Sequence, residues 1–168
     1  SRTSLHCWST RPGEPEGRLM GDFYDSDIGL QTADVLVLPS SFLKTLWKEL
    51  TDGFGEAEAP GAFFRCGESV GENLASSYYE DTGQIDALLN RAWAEAGLGL
   101  LFVLEANPEK VVCKVESLLE VNVIGIAHPC SFTSGCLAGM LKGIMQHPYS
   151  VEEEMVGEDT RVFTFTPM

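Results

Sequence analysis

The sequence predicts an α+β domain, an antiparallel sheet packed against a layer of helices. Three observations predict it. Apolar residues recur at helical spacing in three successive segments between residues 40 and 97. Strand-like pairs with turn residues between them occupy 98–117 and 149–166. Between those pairs lies Cys130 to His147, CSFTSGCLAGMLKGIMQH, which reads as a helix with almost no polar side.

In chain order, residues 1–31 read as an N-terminal arm and 32–168 as the domain. Pro12, Gly13, Pro15 and Gly17 break regular structure, and the acids Asp22, Asp25 and Asp27 follow without apolar periodicity. Asp34 to Pro39 (DVLVLP) predicts a short strand, and Ser40 or Ser41 caps a helix after it. Phe42, Leu43, Leu46, Trp47 and Leu50 make one face of that helix, and Gly53 is its expected end. A second helix begins near Pro60, a good first-turn residue, and carries Phe63, Gly67, Val70, Gly71, Leu74 and Tyr78 down one side. Asp81 or Thr82 caps a third, in which Ile85, Leu88, Leu89, Ala92, Trp93 and Ala96 are in register and Gly97 is the stop.

Leu98 to Glu105 is nearly all apolar and predicts a buried strand. Lys110 to Ser117 alternates, as a half-exposed strand does, and Asn107-Pro108-Glu109 is the turn between them. Residues 118–127 are apolar but fit strand and helix equally. In the central helix Leu137, Met140, Leu141 and Ile144 form one apolar face, and Gly135, Gly139 and Gly143 form a bare stripe opposite. Each glycine costs about 1 kcal/mol of helix stability relative to alanine. Something must therefore approach this backbone closely, either a ligand or another helix, and the Gly67/Gly71 helix is the available mate. Tyr149–Val156 and Arg161–Thr166, joined through Gly157-Glu158-Asp159, close the domain as a hairpin.

Composition narrows the function. The chain has 168 residues, 44% hydrophobic and 21% charged, which suits one globular domain. Eleven Lys and Arg face 25 acids, a net charge of −14, which disfavours nucleic acid and anionic membrane surfaces as partners. A ligand is expected to be neutral, cationic or apolar. No apolar run approaches the roughly 18 residues of a membrane span. The first residues contain no leader-like apolar core. The five cysteines (7, 66, 113, 130, 136) form no CxxC pair and fit reduced thiols, so a cytoplasmic location is the expectation.

Several segments together resemble the 4-vinyl reductase (4VR) domain family. They are VLVLPSSFLKTLWKEL, FFRCGESVGENLA with its Gly-xxx-Gly pair, PCSFTSGCLAGML, and the closing hairpin with its Gly-acid-acid turn and Phe-x-Phe. That family is similar in fold to small subunits of the TRAPP tethering complex, an α+β plait that often dimerises through its helices and can enclose a hydrophobic channel. The resemblance implies a small-molecule-binding module of the kind found in phenol-sensing activators and in a protein linked to bacteriochlorophyll synthesis. It also raises zinc, which some members hold with cysteines and a glutamate. Cys130 matches one such cysteine, and Glu153 or Glu154 matches the glutamate. The hairpin has no cysteine, however, and Arg161 or a neighbour stands where one is expected. Zinc needs about four ligands, the full set is not visible, and no metal or other cofactor is expected.

The residues proposed to meet a ligand are Phe63, Phe64, Trp93, Phe102, Cys130, Phe132, Gly135, Cys136, Gly139 and Met140. Cys130, beside His128 at a helix start, is the strongest chemical pair, since a helix N-terminus favours a thiolate. A small buried thiol is the plainer reading and the one we adopt. Glu152, Glu153, Glu154, Glu158 and Asp159 read as a solvated strand edge guarded by charge rather than a cation site. No GxGxxG, P-loop, HExxH or GxSxG motif is present. Binding rather than catalysis is therefore expected, with no catalytic residue assigned. The favoured function is to bind or carry a hydrophobic ligand, a tetrapyrrole intermediate or an aromatic. The alternatives are an accessory or reductase-like factor in chlorophyll-type tetrapyrrole biosynthesis and a dimeric TRAPP-like scaffold. A homodimer is expected, because the helical faces exceed what one small sheet covers.

Overall fold

The computed structural model describes residues 39–76, 84–125 and 129–168. The arm, most of the 34–39 strand, Tyr78, Tyr79, the Asp81/Thr82 cap and His128 lie outside them. The described residues fold as α1 (Ser41–Phe54), α2 (Ala59–Ser76), α3 (Ile85–Ala96), β1 (Leu100–Asn107), β2 (Lys110–Glu116), α4 (Leu119–Ile124), α5 (Ser131–Met145), β3 (Tyr149–Met155) and β4 (Arg161–Pro167). The strands form one antiparallel sheet in the order β1-β2-β4-β3. The α+β architecture is as the periodicities predict.

The two hairpins pair through β2 and β4, so β1 and β3 are the sheet's edges. Val111, Cys113, Val115, Phe163 and Phe165 point to one face and are buried in the core with α3 and α5. α5 is the centre of that core, with twelve of its fifteen residues buried. A helix buried on nearly every side needs no amphipathic stripe, which is why its sequence shows none.

The glycine stripe has a structural occupant. A Cβ at Gly135 or Gly139 would run into the carbonyl oxygens of Phe64 and Glu68 on α2. A Cβ at Gly67 or Gly71 would run into those of Phe132 and Cys136 on α5. The two helices thus meet backbone to backbone, the close approach that small-xxx-small spacing allows. Lys142 closes the far end of the seam, pairing with Glu72 at 2.9 Å.

Three boundaries depart from the sequence reading. α1 runs through Gly53 to Phe54 and stops at Gly55, whose φ of +83° suits glycine, while Ser40 makes no side-chain cap. The ambiguous 118–127 stretch contains the short helix α4. β1 is not a buried strand: Leu100, Phe102 and Leu104 face away from the helices and are 58%, 44% and 60% exposed. An all-apolar run reads as buried on both faces, but the helices cover one face of this sheet and no described strand lies beyond β1. At the expected position, Gly97 ends α3 in the left-handed conformation, its N–H donating to the Trp93 carbonyl.

Candidate functional site

α5 starts without a local cap. Cys130 occupies the N-cap position, where a Ser, Thr, Asp or Asn would ordinarily accept from the first free amides. Two distant glutamates do this instead. Glu120 of α4 accepts from the Phe132 N–H at 3.1 Å and the Thr133 N–H at 2.7 Å. Glu153 of β3 accepts from the Cys130 N–H at 3.1 and 3.3 Å through its two oxygens. Negative charge at this position also meets the positive end of the helix dipole.

Arg161 fixes the second of these carboxylates. It is only 2% exposed, and its Nε lies 3.2 Å from Glu153 Oε1. Its Nη1 donates to the carbonyls of Gly157, Glu158 and Thr160. The β3–β4 turn is therefore wrapped around a guanidinium that holds Glu153 against α5. This satisfies a buried cation with hydrogen bonds as well as a counter-charge.

Glu120 is nearly inaccessible at 2% exposure. Burial pushes its carboxyl up to about 7, against the pull of the hydrogen bonds from Thr133 and Phe132, and the nearby Glu153 adds to the rise. Burial likewise pushes the Cys130 thiol up, reinforced by Glu120 and Glu153 and opposed by Arg161. The Cys136 thiol rises to about 12, chiefly by burial. Cys130 is thus a protonated core thiol, chiefly because it is buried, with the two glutamates at the helix end adding to the rise.

These donors do not suit a metal. The described residues contain no group of three His, Cys, Asp or Glu able to hold one. Beyond that, Glu153 is already engaged by Arg161, and a guanidinium beside it would repel a second cation.

The sequence-proposed ligand residues divide into three groups. Phe63, Cys130, Phe132, Cys136 and Met140 are buried around α5. The rings of Phe63 and Phe132 lie 5.1 Å apart, and Trp47, absent from the sequence-based selection, lies 5.5 Å from Phe63. Gly135, Gly139 and the half-buried Phe64 lie along the α2–α5 seam. Trp93 and Phe102 stand apart. Trp93 ties α3 to the start of β1 through its indole N–H and the Gly99 carbonyl, and Phe102 is on the outward face below the Lys114 ammonium.

Phe132 joins the polar and aromatic parts, since Glu120 holds its amide while its ring packs on Phe63. The next residue, Thr133, is fully buried, and its hydroxyl makes no well-formed hydrogen bond. It lies near enough to Glu120 to favour the carboxylate, yet outside bonding geometry. Glu120 is the residue that sequence reasoning missed. Its signal is a single acid in the apolar run LLEVNVI.

No protein-family model and no curated protein matches the chain. Solved structures do. The phenol-responsive sensory domain of the transcription activator PoxR, with phenol, aligns over 79% of this chain and 76% of its own at a TM-score of 0.63 and 22% identity. A vinyl-4-reductase family protein from Methanocaldococcus jannaschii aligns over 80% of this chain and 85% of its own at a TM-score of 0.52 and 18% identity. The chain has the vinyl-4-reductase fold. A trafficking protein particle complex subunit 3 from Naegleria fowleri, covalently bound to palmitic acid, aligns over 77% and 95% at a TM-score of 0.48 and 12% identity, too loosely to bear on function. The 4-vinyl reductase resemblance read from the segments above thus holds for the fold. In this vinyl-4-reductase fold no described helix is long and apolar enough to cross a membrane.

Proposed function

We propose that this vinyl-4-reductase-fold chain binds a hydrophobic small molecule at the start of α5, and acts by binding rather than by catalysis. The observation that carries the reading is the Thr133 hydroxyl, buried without a well-formed hydrogen bond one residue along α5 from Phe132, whose ring belongs to the Trp47–Phe63–Phe132 cluster. A buried polar group left unmatched costs about 1–3 kcal/mol, which a ligand with one polar group recovers. The matching ligand is an aromatic ring bearing a hydroxyl, small enough to enter between side chains. The shared fold with a phenol-responsive domain supports that class over a tetrapyrrole. Glu120, whose carboxyl is raised to about 7 and so is partly protonated at neutral pH, is a second group able to donate to or accept from such a hydroxyl.

Native mass spectrometry tests this reading on protein purified from its own host and on protein incubated with phenol, a monoalkylphenol and a porphyrin. The expected result is a one-to-one adduct with the phenols. Empty protein from the host, together with no adduct from any of the three, would overturn it.

A further inference from the structure

Glu120 and Glu153 bring two carboxylates to one helix end, and among the described residues one cation serves the pair. That cation, Arg161, is committed to Glu153, with Nε 3.2 Å from Oε1. The charged group that acts on Glu120 is instead another acid, Glu153. The thiols of Cys130 and Cys136 feel the Glu120 charge from α5, and both are held protonated. No charged group of α1, which also packs on α4, acts on Glu120.

The partners of Glu120 are neutral donors. The Phe132 N–H meets Oε1 at 3.1 Å and the Thr133 N–H meets Oε2 at 2.7 Å. A carboxylate oxygen has two lone pairs, so each keeps one acceptor position after its amide is met. Those positions are buried with a side chain only 2% exposed, where an unmet acceptor is costly. Thr133 Oγ1 has the complementary lack, a buried hydroxyl with no well-formed partner.

We infer that Glu120 is the specificity-determining residue of this site, selecting a ligand whose hydroxyl donates a hydrogen bond to it, an inference that rests on the ligand reading above. Thr133 Oγ donates to the ligand oxygen, and the same oxygen's O–H donates to Glu120. A hydroxyl on a ring does both at once. An aryl ether answers the threonine and leaves the acid unmet. A site built to hydrogen-bond an O–H rejects the analogue that lacks it, because its own buried polar groups are then left unpaired.

Such a ligand also couples binding to a proton. A donor aimed at a carboxylate favours its ionised form. The Glu120 carboxyl titrates near 7, so the empty site at neutral pH is divided between the two forms. When a hydroxyl binds to the protonated form, the carboxyl proton goes to the buffer and the ligand keeps its own. The competent, ionised fraction rises from about one-tenth at pH 6 to about nine-tenths at pH 8, so affinity should rise about tenfold over that range.

Calorimetric titration of the full chain with phenol and with anisole, at pH 6, 7 and 8, tests this assignment. Phenol should bind about tenfold more tightly at pH 8 than at pH 6 and should release a proton at pH 7, seen as a heat that depends on the buffer. Anisole should bind at least tenfold more weakly than phenol at pH 8 and no more tightly there than at pH 6. Glu120→Gln should flatten the phenol profile and narrow the phenol–anisole ratio at least threefold. Wild type alone carries the pH profile and the ether comparison, whether or not the variant folds. Equal phenol affinity at pH 6 and pH 8 would overturn the assignment, as would anisole binding as tightly as phenol or an unchanged profile in Glu120→Gln. In each of those cases phenol still binds and the ligand reading stands. Absence of phenol binding at all three pH values would overturn that reading and the assignment with it.

Discussion

The flank of α5 and its first turn contact the rest of the domain in opposite ways. Along the flank, four glycines let two backbones touch. At the first turn, two glutamates from separate elements, one of them held by an arginine from a third, accept from a few amides, and one hydroxyl makes no well-formed hydrogen bond. The flank has the character of a packing device, and filling it can only disrupt the fold. The first turn is polar and buried, and one of its hydroxyls makes no well-formed hydrogen bond. The difference separates the glycines, which invite a ligand-binding reading in the sequence, from the part of the helix that has chemistry to offer.

The largest expected effect attacks the seam. Gly139→Leu places a side chain against the Glu68 carbonyl, which cannot rotate away, and should cost more than about 3 kcal/mol in a urea melt. A cost under about 1 kcal/mol would mean the helices can part, and that ligand space beside the stripe is available after all.

The next largest effect attacks the first turn. Arg161→Met removes the cation beside Glu153 and the Nη1 that donates to three turn carbonyls. The loss should be about 3 kcal/mol, toward the low end for a buried pair because the Glu153 side chain is 22% exposed. Adding Glu153→Gln should recover part of it, since the stranded charge is then gone. No recovery would show that the arginine acts through the turn alone.

A smaller effect sharpens the contrast through pH. The folded-state pKa of Glu120, at about 7, lies above the ordinary glutamate value of 4.5. Its contribution is therefore fully present below pH 4.5 and is lost as pH rises through 7. Stability should fall by roughly 2 kcal/mol between pH 5 and pH 7. Glu120→Gln should remove most of that slope, whereas a seam variant such as Gly139→Ala should keep it. Thermal melts across this range give the comparison.

How much of this was legible in the sequence follows from the range of each interaction. Periodicity within a segment located the three early helices, both hairpins and the α5 glycines with their Gly67/Gly71 mate. It placed the end of α1 two residues early, because Gly53 is tolerated inside a helix whose register continues to Phe54. The edge position of β1 depends on strand order, so its apolar run looked like a core strand. The site depends on still longer contacts. Glu153 caps Cys130 across 23 residues and Glu120 caps Thr133 across 13, and no repeat or spacing rule carries such pairs. Cys130, conspicuous as a thiol at a helix start, contributes mainly its backbone amide.

Thr133→Val tests the central claim most directly, because it removes the unmatched hydroxyl and leaves the aromatic cluster in place. It should keep or raise stability, by up to about 1 kcal/mol, since a buried polar atom is lost. Calorimetric titration with phenol should show saturable binding to wild type and at least tenfold weaker binding to Thr133→Val. Equal phenol affinity in the two proteins would contradict the account, and so would wild type that binds no phenol at all.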